Sequence, residues 1–114
     1  MAEAARLICA SAELANGGKG VRFEIQTASG MQAAFAVRYG GKVFGFLNRC
    51  AHIGIELDWQ PGEFFDESGL YLVCTSHGAT YQPDSGECIA GPCRGARLTR
   101  LDISEQDGGI YLLN

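Results

Sequence analysis

The chain lacks an excess of basic residues, a long apolar run and a recognisable leader. Nine Lys and Arg stand against thirteen Asp and Glu, for a net charge of -4. Because nucleic acids are bound through a basic face, this composition argues against a nucleic-acid partner. No apolar run reaches the roughly 18 residues that indicate a membrane span. The N-terminal segment MAEAARLICASAEL also lacks the pattern of a signal peptide, so we expect a cytoplasmic protein.

Proline is scarce, with three residues, whereas glycine is abundant, with sixteen in a chain of 114. This length fits one small domain. Helical periodicity is weak, apart from a short turn expected over 11–14 with Ser11 as its N-cap. Short apolar runs alternate with glycine turns, which is typical of antiparallel hairpins. We therefore expect an all-β fold with about eight to ten short strands. The predicted strands are 6–10, 21–27, 31–40, 42–48, 70–74, 79–82, 96–104 and 109–114.

Residues 53–69 form the one long irregular connection, and long loops in compact domains are often functional. We expect Trp59, Phe64 and Phe65 to pack beneath this loop. A solvated surface is the favoured interpretation of its acidic side chains, with an acidic docking surface for a basic reductase as the alternative. The acidic residues are Glu56, Asp58, Glu63, Asp66 and Glu67.

Histidine is also scarce, and both histidines follow a cysteine closely. The first motif runs from Cys50 to His52 with one residue between, and the second from Cys74 to His77 with two. Zinc sites usually pair Cys with Cys and His with His. The mixed pairing instead suits a binuclear centre in which one iron takes both thiolates and the other both imidazoles. Zinc, or histidines without a ligand role, are the alternatives.

These two motifs, in this order, resemble the Rieske [2Fe-2S] signature, C-x-H followed by C-x-x-H. The stretch HGATYQPDSGEC at 77–88 resembles the family's His-Gly with an aromatic residue four positions after the histidine. AGPC at 90–93 resembles the loop that covers the cluster. The resemblance covers nearly the whole chain. It implies a single domain over 1–114, an antiparallel β-sandwich with a small cluster-binding subdomain at about 46–94.

The resemblance implies one Rieske-type [2Fe-2S] cluster per chain. Cys50 and Cys74 would bind one iron, and His52 and His77 the other. The residues expected around the cluster are Tyr81, Gly78 and Pro92.

Three positions bear on the expected reduction potential. High-potential members of the family carry a disulfide between the cluster loops, but the corresponding residues here are Ile55 and Ser76. Those members also place a hydroxyl donor where this chain has Ala79, while Tyr81 is able to donate to a ligand sulfur. Because hydrogen bonds to sulfur stabilise the reduced cluster, we expect the lower half of the family's range, about -150 to 0 mV.

The three remaining cysteines are expected to have no ligand role. Cys9 lies in a predicted strand and is interpreted as a buried apolar residue. Cys88 and Cys93 flank IAGP. Cytoplasmic cysteines are more often ligands or buried thiols than disulfides, so packing is favoured for this pair, with a disulfide or a second metal site left open.

The resemblance implies a soluble one-electron carrier, similar to the ferredoxins that pass electrons from a flavin-dependent reductase to a terminal oxygenase, often one acting on aromatic rings. A Rieske oxygenase also needs a mononuclear iron bound by two histidines and a carboxylate, and this chain has no histidine left over. We therefore expect a carrier without an enzymatic activity, and a monomer. The alternatives are the small Rieske subunit of a larger enzyme such as a nitrite reductase, and a zinc-bound structural module.

Overall fold

The computed structural model describes residues 6–50, 56–58, 60–74, 78–91 and 95–113. Within these residues the chain is almost entirely β, with one short 3₁₀ turn at Ser11–Glu13, and every pairing between strands is antiparallel, as predicted. The strands are Arg6–Ala10 (β1), Val21–Thr27 (β2), Gly30–Tyr39 (β3), Lys42–Leu47 (β4), Leu72–Cys74 (β5), Ala79–Tyr81 (β6), Cys88–Ala90 (β7), Arg100–Leu101 (β8), Ile103–Gln106 (β9) and Gly109–Leu112 (β10).

The described strands form three sheets, and the four-stranded one lies in the middle. Its strand order is β2-β3-β4-β8, and the two three-stranded sheets have the orders β1-β10-β9 and β5-β6-β7. The middle strand β3 is fully buried from Ala34 to Val37. Such a continuous buried run, without alternation, is typical of a strand that is covered on both faces.

At the centre of the middle sheet, the small residues Ala36 and Gly45 face the β1-β10-β9 sheet. Ala36 packs in one core with Ile110 of β10. A Cβ added at Gly45 would lie only 3.0 Å from a side-chain carbon of Ile103, so the two sheets approach closely. Phe35 and Phe46 point into the larger core, which is shared with the β5-β6-β7 sheet and the long loop.

The long loop is fastened to the middle sheet by an aromatic stack. The ring of Phe64 lies parallel to that of Phe35, with 4.0 Å between centroids and a 13° interplanar angle. Gly20 leaves room for it, since a Cβ there would come within 2.7 Å of the Phe64 ring. Phe64 and the half-buried Phe65 therefore pack as predicted, whereas Trp59 lies outside the described residues.

Two strand predictions differ from the structure. β7 was not predicted, because it has three residues between the turns at Gly86 and Gly91. The single strand predicted at 96–104 is two strands interrupted at Asp102, since β8 pairs with β4 and β9 pairs with β10. The chain moves from one sheet to the other at this point, a change that an alternating pattern does not reveal.

The first turn is capped differently from the prediction. Ser11 begins the 3₁₀ turn rather than preceding it. The cap comes from the Glu13 carboxylate, which accepts a hydrogen bond of 2.9 Å from the Ala10 backbone N–H. Cys9 beside it is buried as expected, and burial, followed by the charge of Glu13, raises the pKa of its thiol.

A bidentate ion pair ties β3 to β9. The guanidinium of Arg38 donates to both carboxylate oxygens of Glu105, at 2.6 and 2.9 Å. These hydrogen bonds lower the pKa of Glu105 from 4.5 to about 2. Because the folded-state pKa is the lower one, the pair's contribution to stability is present above pH 4.5 and is lost as the pH falls toward 2.

Within the described part of the chain, no helix has the length and apolar character needed to cross a membrane.

Replacing Phe64 with Ala should destabilise the protein far more than the same change at Phe65. Phe64 is fully buried, and its loss leaves a cavity against Phe35. Such changes cost about 3–5 kcal/mol, so the thermal midpoint should fall by more than about 10 °C. Parallel thermal scans at one scan rate measure both variants. Equal decreases in the two midpoints would show that the loop is not fastened through Phe64.

Candidate metal centre

Cys50 is brought into the core by a tight turn at the end of β4. The Asn48 backbone N–H donates to Ala33 O at 2.9 Å, and the Arg49 N–H donates back to Leu47 O at 2.9 Å. The turn leaves Arg49 exposed and Cys50 buried, at 1% exposure. Cys50, the first residue of the first motif, is therefore buried in the large core rather than exposed to solvent.

Cys74 is the last residue of β5 and is fully buried. The chain returns directly, because Cys74 pairs in register with Ala79 of β6. The Gly78 N–H closes the loop by donating to Cys74 O at 2.8 Å. Gly78 has a φ of +72°, a conformation that favours glycine. This gives a structural reason for glycine at the position after the second motif.

Tyr81 connects the two motifs. It lies two residues after Ala79 on the same buried face of β6, and it is itself fully buried. Its Oη is 3.3 Å from Cys50 Sγ. A metal-bound thiolate has no proton, so with metal present the tyrosine hydroxyl is the donor and the sulfur the acceptor.

The loop that follows β7 lies against the second motif. A Cβ added at Gly91 would lie 2.9 Å from Ala79 Cα and 3.1 Å from the Gly78 carbonyl oxygen, and Gly91 has a φ of +96°. Only glycine fits such an approach without a shift of the backbone. The chain therefore enters AGPC directly beside the turn that carries Cys74.

Several predicted site residues lie outside the described residues. These are His52, His77 and Pro92, together with Ile55, Ser76 and Cys93. Within the described ranges, no group of three or more His, Cys, Asp or Glu side chains is placed to hold a metal ion. Two ligands of the expected four are described, and both Cys50 and Cys74 belong to the same buried core. Two buried thiols with a hydroxyl donor on one sulfur fit the thiolate half of a binuclear iron centre.

A model of the Rieske [2Fe-2S] domain family matches residues 5–104. The chain belongs to this family. Its cofactor is a Rieske-type [2Fe-2S] cluster.

Several solved structures have the same fold as this Rieske domain. The ferredoxin of Sphingomonas yanoikuyae B1 has 21% identity and a TM-score of 0.72, over 96% of this chain and 97% of that one. A complex of reduced oxygenase and oxidized ferredoxin in carbazole 1,9a-dioxygenase contains a chain with 17% identity and a TM-score of 0.73, over 97% of this chain and 94% of that one. At these identities the likeness concerns the fold.

The Rieske domain also matches part of a larger enzyme chain. The terminal oxygenase of carbazole 1,9a-dioxygenase from Novosphingobium sp. KA1 has 22% identity and a TM-score of 0.71, over 96% of this chain and 29% of that one. A search of curated proteins found no match.

Cys88 differs from the expectation of a packing thiol. It is buried at the start of β7, and the structure records it as disulfide-bonded. Cys93, with which a disulfide was left open, lies outside the described residues. The expectation came from the usual redox state of the cytoplasm, which carries no information on the local geometry around β7.

Asp58 contradicts the expectation that the acidic residues of the long loop are solvated. Its side chain has 0% exposure, and it accepts a hydrogen bond of 2.8 Å from the amide of the equally buried Asn48. Sequence reasoning missed both residues as parts of the site. The available signal was position: Asn48 stands two residues before Cys50.

Replacing Tyr81 with Phe should lower the reduction potential of the Rieske domain. With Cys50 as a cluster ligand, as its motif predicts, the Tyr81 hydroxyl 3.3 Å from Cys50 Sγ would stabilise the reduced, more negative centre. If the hydrogen bond is stronger by about 1 kcal/mol in the reduced than in the oxidised state, its loss lowers the potential by about 40 mV for one electron. Redox titration followed by circular dichroism measures the change.

Tyr39→Phe is the matched control, because Tyr39 stacks on Phe65 at the opposite end of β3 from the residues that pair beside Cys50. An unchanged potential in Tyr81→Phe, or an equal shift in the control, would remove the assigned role of the hydroxyl. A wild-type potential well above about +150 mV would refute the low-range expectation.

Proposed function

We propose that this Rieske domain is a one-electron carrier that accepts electrons from a flavin-dependent reductase and delivers them to a terminal oxygenase acting on aromatic rings. It works without a substrate transformation of its own, as a cytoplasmic monomer. The observation that carries the proposal is the pair of buried thiols with Tyr81 on the Cys50 sulfur, in a chain of this family. The match along nearly the whole length of a ferredoxin, and the complex of such a fold with an oxygenase, support the choice of partner.

The proposed ligands are Cys50 and Cys74 on one iron and His52 and His77 on the other. Gly78 and Pro92 would belong to the loops beside the cluster, within one domain over 1–114 whose cluster-binding part runs from about 46 to 94. The cluster supplies reversible one-electron chemistry. Neutral imidazoles in place of two thiolates remove negative charge from the site and make the added electron easier to accept.

The protein's own residues protect and adjust the centre. Cys50 and Cys74 are held in a core from which water is excluded, so their sulfur atoms keep a low-dielectric surrounding in which hydrogen bonds are strong. Tyr81 supplies such a bond to Cys50. Ala79, fully buried beneath Gly91, has no hydroxyl to offer. A hydroxyl at Tyr81 and none at Ala79 are consistent with the proposed potential in the lower part of the range.

An electron paramagnetic resonance experiment tests the proposal directly. The purified protein should be silent when oxidised and, after reduction with dithionite, should give a signal with the low average g value of a histidine-ligated [2Fe-2S] centre. Iron and sulfide should each be close to two per chain. A colourless protein that holds zinc and no sulfide would establish the structural-module alternative instead.

The fold alone is shared by carriers and by Rieske parts of larger enzymes, so the carrier function needs its own assay. The dithionite-reduced protein, freed of excess reductant under nitrogen, should give up one electron per chain to oxidised cytochrome c and then accept another. Native mass spectrometry after purification from the producing cells reports the assembly. Permanent association with a large reductase subunit would favour the small-subunit alternative.

Cysteine variants test the ligand assignment. Cys50→Ser and Cys74→Ser should each abolish the native cluster spectrum, because hydroxyl oxygen is a poor substitute for thiolate on iron. Cys9→Ala is the control, since Cys9 is also buried but lies in the separate core beside Ile110. It should keep full iron and sulfide. If either serine variant retains the native signal, the assignment of that cysteine is wrong.

A further inference from the structure

Two buried polar side chains flank the loop that carries the first pair of proposed ligands. Asn48 and Asp58 are 3% and 5% exposed and are the only buried polar residues among those described. Asn48 follows β4 directly, and Asp58 lies beyond the far end of the segment 49–56, which contains Cys50 and His52. Burying an amide and a carboxylate is unfavourable unless their hydrogen bonds are satisfied, so their partners indicate what they hold together.

Asn48 joins the two ends of this segment. Its Nδ2 donates to Asp58 Oδ1 at 2.8 Å, and its Oδ1 accepts from the Leu57 backbone N–H at 2.9 Å. Its own backbone N–H donates to Ala33 O, at 2.9 Å, in the middle sheet. One asparagine therefore fixes residues 57 and 58 to the end of β4.

Asp58 and Arg22 fix the far end of the segment to β2. Asp58 Oδ2 accepts from the Gly62 N–H at 3.0 Å and lies 3.4 Å from Nε of Arg22. Nη2 of Arg22 donates to Glu56 at 2.7 Å. The guanidinium thus compensates the charge of a carboxylate that is completely shielded from solvent.

The second ligand loop is closed in a different way. Cys74 and Ala79 are paired residues of neighbouring strands, and the Gly78 N–H bonds to Cys74 O. No such ladder joins the described residues on the two sides of the first loop, where the connections are side-chain hydrogen bonds. In the second loop, backbone hydrogen bonds between paired strands hold the two ends together. In the first loop, the side chains of Asn48, Asp58 and Arg22 do so instead.

We propose that Asn48, Asp58 and Arg22 form a loop clasp that joins the described residues on the two sides of the first ligand loop and positions Cys50 for retention of the cluster. These are positioning residues, and the inference rests on the ligand assignment of the proposed function. The clasp is a coupled unit. Removal of the Asn48 or Asp58 side chain leaves a buried polar atom of the other without the hydrogen bond that joined them, so one change should already weaken the closure of the loop.

The test compares cluster loss in the wild type, three clasp variants and one control variant. Asn48→Ala, Asp58→Asn and their double variant are incubated with a chelator, and the visible absorbance of the cluster is followed. Each single change should accelerate cluster loss about ten-fold or more, and the double variant should resemble the more severe single variant. Asp66→Asn is the matched control, because Asp66 lies in the same loop but bonds to Ser68 in an exposed turn. Its rate should stay within about two-fold of the wild type.

A second readout separates positioning from general stability. Amide hydrogen exchange of the proteins as purified should increase in the peptide 47–58 and stay unchanged in the peptide 72–82. The reduced-state paramagnetic signal should broaden or shift in the clasp variants and not in Asp66→Asn. Arg22→Gln, a change at a partly exposed side chain, provides a milder variant if Asp58→Asn does not fold.

The outcomes separate the two proposals. If the wild type holds the cluster and the clasp variants lose it no faster than Asp66→Asn, or if exchange rises equally in both peptides, the clasp is wrong and the carrier function stands. Additive rate effects in the double variant would likewise overturn the clasp. If the wild type holds no iron, the carrier function fails, and hydrogen exchange in 47–58 still decides whether the three side chains close the loop.

Discussion

The contact between the Tyr81 hydroxyl and the Cys50 sulfur joins the small β5-β6-β7 sheet to the turn after β4. It therefore depends on the register of β6 and on the packing of the middle sheet. Tyr81 reaches Cys50 because it lies on the inner face of β6, two residues after the partner of Cys74. A shift of that strand by one residue would turn the tyrosine to the opposite face. The register of the small sheet therefore determines which groups surround the sulfur atoms, and so the environment in which charge is stored.

The middle sheet supplies the rigid surface on which this register rests. Small residues such as Ala36 let the β1-β10-β9 sheet approach on one side. The phenylalanines of the other side provide the surface for Phe64 and for the small sheet. Because both faces of the sheet are covered, Cys50 is presented by a turn that follows directly from a strand packed on both sides. A centre that changes charge without changing ligands benefits from such a surrounding, since reorganisation on electron transfer stays small.

Much of this architecture could be predicted from the sequence. β2, β3 and β4 carry apolar residues in runs separated by glycine turns, so the local sequence pattern placed them within a residue or two. The two Cys/His motifs gave the family, which the match over residues 5–104 confirms. The ligand set remains a prediction. What the sequence did not disclose was the change of sheet at Asp102, because alternation reports which face a side chain occupies and not which strand is its neighbour.

The loop clasp could not be predicted for a related reason. An Asn after a strand and an Asp in an acidic loop ordinarily indicate turns and solvated surface. Their burial follows from Phe64, which draws the long loop down onto the middle sheet and brings Asp58 within reach of Asn48 and Arg22. Hydrophobic packing and the buried polar contacts are thus parts of one arrangement. The aromatic stack provides non-directional attraction, whereas the hydrogen bonds are directional. They favour this closed geometry because burying the Asp58 carboxylate is costly unless Asn48, Gly62 and Arg22 are in place.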